Sequence, residues 1–152
     1  MWRKIISLIL MLSCFALIFY FSSQVGSVSS SVSNKVGDFA SNFYILKRLM
    51  LLFPLRKMAH FSLYAMTFIT VLFFISSWFN LRYVVSTTIS IGVVFIYACS
   101  DEFHQSFIGG RSAEFRDVLI DCLGALSALI VISSIRCIYI NLNKRRSKYI
   151  TE

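Results

Sequence analysis

The chain has 152 residues, of which 57% are hydrophobic and 14% are charged, and its mean hydropathy is +0.74. Soluble domains usually contain about 45–50% apolar residues, so this composition argues against an ordinary soluble domain and favours a small bundle of membrane helices. The formal net charge is +8. The basic residues flank apolar stretches, and membrane topology and contact with membrane lipids therefore explain them better than nucleic-acid binding, which we do not expect.

The first apolar segment covers residues 5–21, follows Arg3 and Lys4, and contains no charged residue. A secretory signal peptide has a shorter apolar region, so we predict a retained transmembrane span, although the small residues that follow leave cleavage open. Residues 22–56 form a linker in which apolar residues recur at i, i+3, i+4 and i+7. This stripe predicts an amphipathic helix that lies in the membrane interface or packs as a short helix on the bundle, and it consists of Val36, Phe39, Ala40 and Phe43.

Three further apolar segments predict transmembrane helices at about residues 57–79, 83–100 and 117–140. Residues 80–82 connect the second and third spans so tightly that these two are expected to be antiparallel neighbours. The sequence thus predicts an all-α membrane protein with one domain over residues 1–152, a four-helix transmembrane bundle with an interfacial amphipathic helix between spans one and two. The four cysteines lie in apolar segments without a CxxC pair, which predicts buried thiols.

The distribution of Lys and Arg predicts that both termini are cytoplasmic. With the N-terminus inside, eight basic residues lie on the inner side and seven on the outer side, so the number alone hardly decides the orientation. The inner residues, however, include the pair before the first span and the basic run at residues 144–148 after the last span. Most acidic residues fall on the other side.

Polar residues from three separate segments are predicted to meet at one face of the membrane. Spans two and four begin at this face and span three ends there, because successive spans run in opposite directions. Within each segment the spacing places the polar residues on one helix face. They are Lys57, His60, Phe61 and Tyr64 at the start of span two, Asp101, His104 and Gln105 at the end of span three, and Asp117, Asp121 and Gly124 at the start of span four.

Asp121 lies about one helical turn inside the last apolar segment. A carboxylate there costs about 2.5–3.5 kcal/mol unless it is paired or hydrated, so we expect it to face the bundle interior with Arg111, His60 or Lys57 as its partner. Charges at helix ends are ordinary, and a purely structural polar network is the alternative. The density of ionisable groups favours a functional site. Its candidate catalytic residues are His60, Asp101, Glu102 and His104, and its candidate ligand-binding residues are Lys57, Tyr64, Gln105, Arg111, Asp117 and Asp121.

At these positions the sequence resembles the VanZ-like family of bacterial membrane proteins. The resemblance covers about residues 5–140, and its most specific parts are residues 100–107 (SDEFHQSF) and Gly110-Arg111 followed by Asp117, Asp121 and Gly124. It also includes residues 21–24 (FSSQ) and residues 56–61 (RKMAHF) with Tyr64. The chain departs from the family pattern at Leu63, where the family often has an acid, and at Gly109, where it often has proline, which should loosen the turn before Arg111.

The resemblance implies a multi-pass protein of the bacterial plasma membrane and cell envelope. It also implies a link to resistance against teicoplanin, a lipid-tailed glycopeptide that binds cell-wall precursors, but it implies no reaction. From the residues, Arg111 and Lys57 suit a phosphate, and we expect an enzyme or a binding protein for an anionic lipid-linked molecule or wall precursor. In the enzyme, His104 or His60 would act as general acid or base and Asp101 or Glu102 would orient it.

Several alternatives stay open. A non-catalytic protein would bind the lipid-tailed antibiotic or shield against it, and the interfacial helix would then matter as much as the polar site. No cofactor is expected, but a divalent metal held by His60, His104 and one or two of Asp101, Glu102, Asp117 and Asp121 is a variant of the first hypothesis. A transporter is the weakest reading, because the polar residues do not line the middle of the bilayer. The oligomeric state is not predicted.

Overall fold

The structure, a computed structural model, describes residues 1–24, 31, 55–110 and 114–151. In this part of the chain, four helices are long and apolar enough to cross a membrane. They are α1 (Trp2–Ser22), α2 (Leu55–Trp78), α3 (Tyr83–Gln105) and α4 (Phe115–Thr151), of which residues Phe115–Lys144 form the apolar stretch. The prediction of an all-helical protein with four membrane spans is confirmed. The predicted interfacial helix around residues 36–43 lies outside the described residues.

All four helices extend beyond the predicted spans at the end of the bundle where α3 finishes, and α3 extends furthest. Helix α3 continues through the polar residues 101–105, where the Gln105 side-chain amide donates to Asp101 Oδ2 one turn earlier at 3.0 Å. Helix α4 begins at Phe115, two residues before the predicted start. The turn between them contains Gly110 at φ 79°, a conformation that favours glycine because it has no Cβ.

Helix α2 is the central helix of the bundle. It packs against α1, α3 and α4. Of the residues in its most apolar stretch, 39% are buried, a larger fraction than in the other three helices. Its side chains Tyr64, Phe68 and Val71 are almost fully buried. Large apolar side chains such as Ile96 and Ile130 point away from the bundle and are 69% and 66% exposed, as expected for helices that face lipid rather than water.

In the described part of the chain, a glycine allows close contact between α2 and α4. A Cβ added at Gly124 would overlap the carbonyl oxygen of Phe61 on α2. Small residues let transmembrane helices pack closely in this way. Ala125 and Ala128 follow on α4 and are also buried. This contact sets the distance between the beginnings of α2 and α4, where the polar residues lie.

The opposite end of the bundle carries cation–aromatic pairs. Lys4 lies 5.3 Å from the ring of Trp78, and Arg136 lies 4.3 Å from the ring of Tyr83. Tyr and Trp next to basic residues are typical of the membrane–water interface. The prediction of four buried thiols is correct only for Cys14, since Cys99 and Cys122 are half-buried and Cys137, at this end of the bundle, is exposed. Cys137 lies on a face of α4 that points away from the bundle. An apolar segment predicts that a residue lies in the membrane, but not whether it faces the bundle or the lipid.

Candidate functional site

The polar end of the bundle is the end at which α1 and α3 finish and α2 and α4 begin. It contains most of the residues that the sequence singled out, and several are removed from solvent and lipid. Asp101 and Glu102 are each 5% exposed, and Tyr64, Gln105 and Asp121 are 0% exposed. Buried acids at the end of a membrane bundle need an explanation, because charges are costly in an apolar environment.

Three of these residues converge as one group, the acid–histidine cluster of His60, Asp101 and Asp121. Their ligand-type atoms all lie within 4.8 Å of one another. His60 Nδ1 lies 3.5 Å from Asp121 Oδ1, so His60 is the partner of Asp121 that the sequence predicted. The separation exceeds that of an ordinary hydrogen bond. Within the described part of the chain, neither Asp121 oxygen accepts a hydrogen bond.

Gln105 connects three helices beside this cluster. Its amide nitrogen donates to Asp101 Oδ2 at 3.0 Å and to Ser22 Oγ of α1 at 2.8 Å, while its carbonyl oxygen accepts from Arg56 Nη2 of α2 at 2.7 Å. A buried amide with partners on both of its polar atoms is held in one orientation. Gln105 therefore fixes the position of the Asp101 carboxylate.

A cavity of about 220 Å³ opens beside the cluster. Lys57 lies at this cavity and forms an ion pair with Asp117 at 2.7 Å, with side chains that are 29% and 21% exposed. Lys57 was a predicted partner of Asp121, but it pairs with Asp117 instead. The lining residues are Arg56, Lys57, His60, Asp117, Ile120 and Asp121.

Glu102 and His104 face different surroundings from the cluster. Glu102 Oε2 accepts a hydrogen bond from the backbone nitrogen of Glu114 at 3.1 Å. This bond links the residue just before α4 to the end of α3. His104 Nε2 lies 3.2 Å from Ser23 Oγ, and its ring stacks on Phe19 of α1 at 4.9 Å. The two histidines thus occupy separate sides of the polar end, and only His60 lines the cavity.

Two contributing residues were missing from the sequence-based candidates. Arg56 lines the cavity and binds Gln105, and Ser22 accepts from the same amide. The family-like segments FSSQ and RKMAHF contained both residues, so the signal was present, but neither fell on a predicted polar stripe. Arg111 lies outside the described residues. The catalytic and ligand-binding roles assigned from the sequence stay predictions.

Comparisons with known proteins give one result. Searches among curated proteins and among solved structures found no significant match. The family model described as VanZ/LLP1 matches residues 7–136, most of the chain. This range includes the acid–histidine cluster, Gln105 and all residues that line the cavity. The chain belongs to the VanZ-like family.

Proposed function

We propose that the protein binds the phosphate-bearing headgroup of an anionic lipid-linked molecule, such as a cell-wall precursor, at the extracytoplasmic face of the bacterial plasma membrane. Through that ligand it would contribute to resistance against teicoplanin-type glycopeptides. The observation that carries the proposal is the cavity at the polar end, with Arg56 and Lys57 in its wall. The distribution of basic residues supports this face as the outer one, with both termini cytoplasmic.

The two cations keep hydrogen-bonding capacity for a ligand. Arg56 has five N–H donors and Lys57 has three. One Arg56 nitrogen binds Gln105, and the Lys57 ammonium binds Asp117. These bonds hold the side chains in place, and the other donors suit phosphate oxygens, by a fork from Arg and by a point charge from Lys.

The size of the cavity favours a headgroup over the antibiotic itself. Pockets for drug-sized ligands measure about 300–1,000 Å³, whereas this cavity measures about 220 Å³. A glycopeptide core is larger than an ordinary drug and would not fit. The lipid tail of the ligand would lie along the apolar outer faces of the helices, as membrane lipids do.

A binding experiment with matched charge variants tests the proposal. The purified protein in detergent micelles is titrated with a polyprenyl phosphate, with phosphatidylglycerol and with inorganic phosphate, and binding is followed by native mass spectrometry. Arg56→Met and Lys57→Met should each weaken polyprenyl-phosphate binding about 10-fold or more, because a hydrogen bond to a charged group contributes about 1.5–3 kcal/mol. Arg82→Met is the control, since Arg82 is exposed at the opposite end of the bundle.

The result that contradicts the proposal is equal binding by the wild type, Arg56→Met and Arg82→Met. Binding of inorganic phosphate alone would assign the site to a free anion. In cells that depend on the protein for teicoplanin resistance, Arg56→Met should lower the inhibitory concentration of the drug at unchanged membrane abundance, whereas Arg82→Met should not.

A further inference from the structure

We propose that His60, Asp101 and Asp121 hold a divalent metal cation at the floor of the cavity. The site draws one ligand from each of three helices, α2, α3 and α4. It is independent of the proposed lipid binding, because none of its three ligands is one of the cations assigned to the phosphate.

The first argument is the balance of buried charge. Asp101, Glu102 and Asp121 are nearly or fully buried within one end of the bundle. Among the residues that the structure describes, no Lys or Arg forms an ion pair with any of them, and the one ionic contact is that between Asp121 and His60. Buried charges in proteins are paired or coordinate metals, and a divalent cation would compensate two of these carboxylates at once.

The second argument is the state of individual polar atoms. Asp121 is 0% exposed, and neither of its oxygens accepts a hydrogen bond from a described residue. The hydroxyl of Tyr64, a 0% exposed residue, lies close to Asp101 and Asp121. Unpartnered buried oxygens are rare, and such groups in a native structure call for a ligand, ion or water.

The third argument is geometric. Two ligand atoms bound at about 2.0–2.2 Å to a tetrahedral cation lie about 3.3–3.6 Å apart. His60 Nδ1 and Asp121 Oδ1 are separated by 3.5 Å, too far for a normal hydrogen bond but suitable for two ligands of one cation. Asp101 Oδ2 is held by the Gln105 amide, in the way that outer hydrogen bonds orient the carboxylates of metal sites.

The ligand types indicate which cation to expect. One imidazole nitrogen with two carboxylate oxygens suits Zn²⁺ or Mn²⁺ better than Ca²⁺ or Mg²⁺, which prefer oxygen ligands alone. Three protein ligands are one fewer than a closed structural zinc site has. Because His60 and Asp121 also line the cavity, the remaining coordination position would face it.

Elemental analysis of the purified protein tests the site. The protein carries a purification tag without histidines, is isolated in mild detergent without chelator, and its Zn and Mn contents are measured by mass spectrometry. We expect about one metal ion per wild-type chain. Asp121→Asn and His60→Asn should reduce this content at least 10-fold. Asp117→Asn and His104→Asn are the controls and should retain the metal, because Asp117 pairs with Lys57 and His104 contacts α1.

Thermal unfolding guards against variants that fail to fold. Added Zn²⁺ or Mn²⁺ should raise the Tm of the metal-stripped wild type and of His104→Asn, but not that of Asp121→Asn, since a cation stabilises only a chain that binds it. Without metal, Asp121→Asn should melt at or above the wild type, because the amide removes a buried charge. A wild-type protein that contains no metal and shows no Tm shift with either ion overturns the proposal, as does an equal metal content in Asp121→Asn.

Arg56→Met separates the two proposals made for this end of the bundle. It should lose polyprenyl-phosphate binding and retain its metal. Loss of the metal in Arg56→Met would overturn the ligand set assigned here, while unchanged phosphate binding in that variant counts only against the proposed function.

Discussion

Replacement of Gly124 by alanine tests whether the close contact between α2 and α4 is required. An alanine Cβ would overlap the carbonyl oxygen of Phe61 and lie 3.0 Å from its carbonyl carbon and 3.2 Å from its Cα. Ordinary carbon contacts are about 3.5–4.0 Å, so the two helices must separate by about 0.5–1 Å. The backbone of Phe61 cannot rotate away as a flexible side chain can. The substitution must therefore weaken the packing of α2 against α4.

The expected energy follows from two opposing contributions. Overpacking of a close contact costs about 1–3 kcal/mol. Alanine in place of glycine inside a helix returns up to about 1 kcal/mol, because glycine loses more backbone entropy on folding. Gly92 offers the matched control, since it lies inside α3 and a Cβ there meets no atom within 4 Å. Both variants gain the stabilisation that alanine gives a helix. Their free energies of unfolding should therefore differ by the cost of the steric clash at Gly124, about 1–3 kcal/mol.

Thermal unfolding of the two variants in the same detergent measures this difference. At about 2–4 °C per kcal/mol for a chain of this size, Gly124→Ala should melt about 2–12 °C below Gly92→Ala. Gly92→Ala itself should melt at or above the wild type. Equal melting temperatures of the two variants would refute the reasoning, because they would mean that α2 and α4 adjust without loss at this contact.

The same substitution should also change the acid–histidine cluster. His60 precedes Phe61 on α2, and Asp121 lies one turn before Gly124 on α4. A wider gap between the helices lengthens the 3.5 Å separation of the two side chains. Gly124→Ala should therefore bind Zn²⁺ or Mn²⁺ more weakly than Gly92→Ala does, in the same metal analysis.

Three further experiments test other contacts of the bundle. Gln105→Leu should destabilise the protein by about 1–3 kcal/mol in detergent unfolding, because the half-buried Arg56 donor and the buried Asp101 carboxylate each lose their hydrogen bond to Gln105. A double-mutant cycle on Lys57 and Asp117 should give a coupling energy of about 0.2–1 kcal/mol, since both side chains are partly exposed to solvent. Tyr97→Phe removes an interhelical hydrogen bond of 2.8 Å to α1 and should cost about 0.6 kcal/mol in the same assay.

The sequence could predict the spans and part of the polar end because both follow from local spacing. Apolar runs of sufficient length define membrane helices, and i, i+3, i+4 spacing places Lys57, His60 and Tyr64 on one face. The convergence of His60 with Asp121 followed once α2 and α4 were taken to begin at the same membrane face. The end of α3 and the beginning of α4 were less accurate, since apolar runs define the membrane-crossing part of a helix and not the polar turns that continue it, such as residues 101–105.

Contacts between helices depend on rotation, which spacing alone does not give. Successive residues on a helix point about 100° apart. Arg56 consequently reaches Gln105 on α3, whereas Lys57 reaches Asp117 on α4. The same rotation of about 100° separates His104 from Gln105. His104 is half-buried beside Ser23, whereas Gln105 is fully buried in the bundle. The sequence analysis assigned His104 to the same site as His60. A sequence indicates how deep a residue lies in the membrane, but it does not give the rotation of the helix.

The volume and the position of the cavity also bear on how resistance could arise. A site that sequesters the antibiotic must match the drug, whereas a cavity of about 220 Å³ is smaller than the pockets that hold drug-sized ligands. If the proposed resistance holds, a mutation inside such a cavity that leaves membrane abundance unchanged should change drug susceptibility only when the cavity acts on a molecule of the cell, which the drug would otherwise reach. Exposed apolar residues on the outer helix faces, by contrast, could contact the lipid tail of the drug without the cavity. Loss of resistance in Arg56→Met but not in Arg82→Met would therefore indicate that the protein acts on a lipid of the cell and not on the drug.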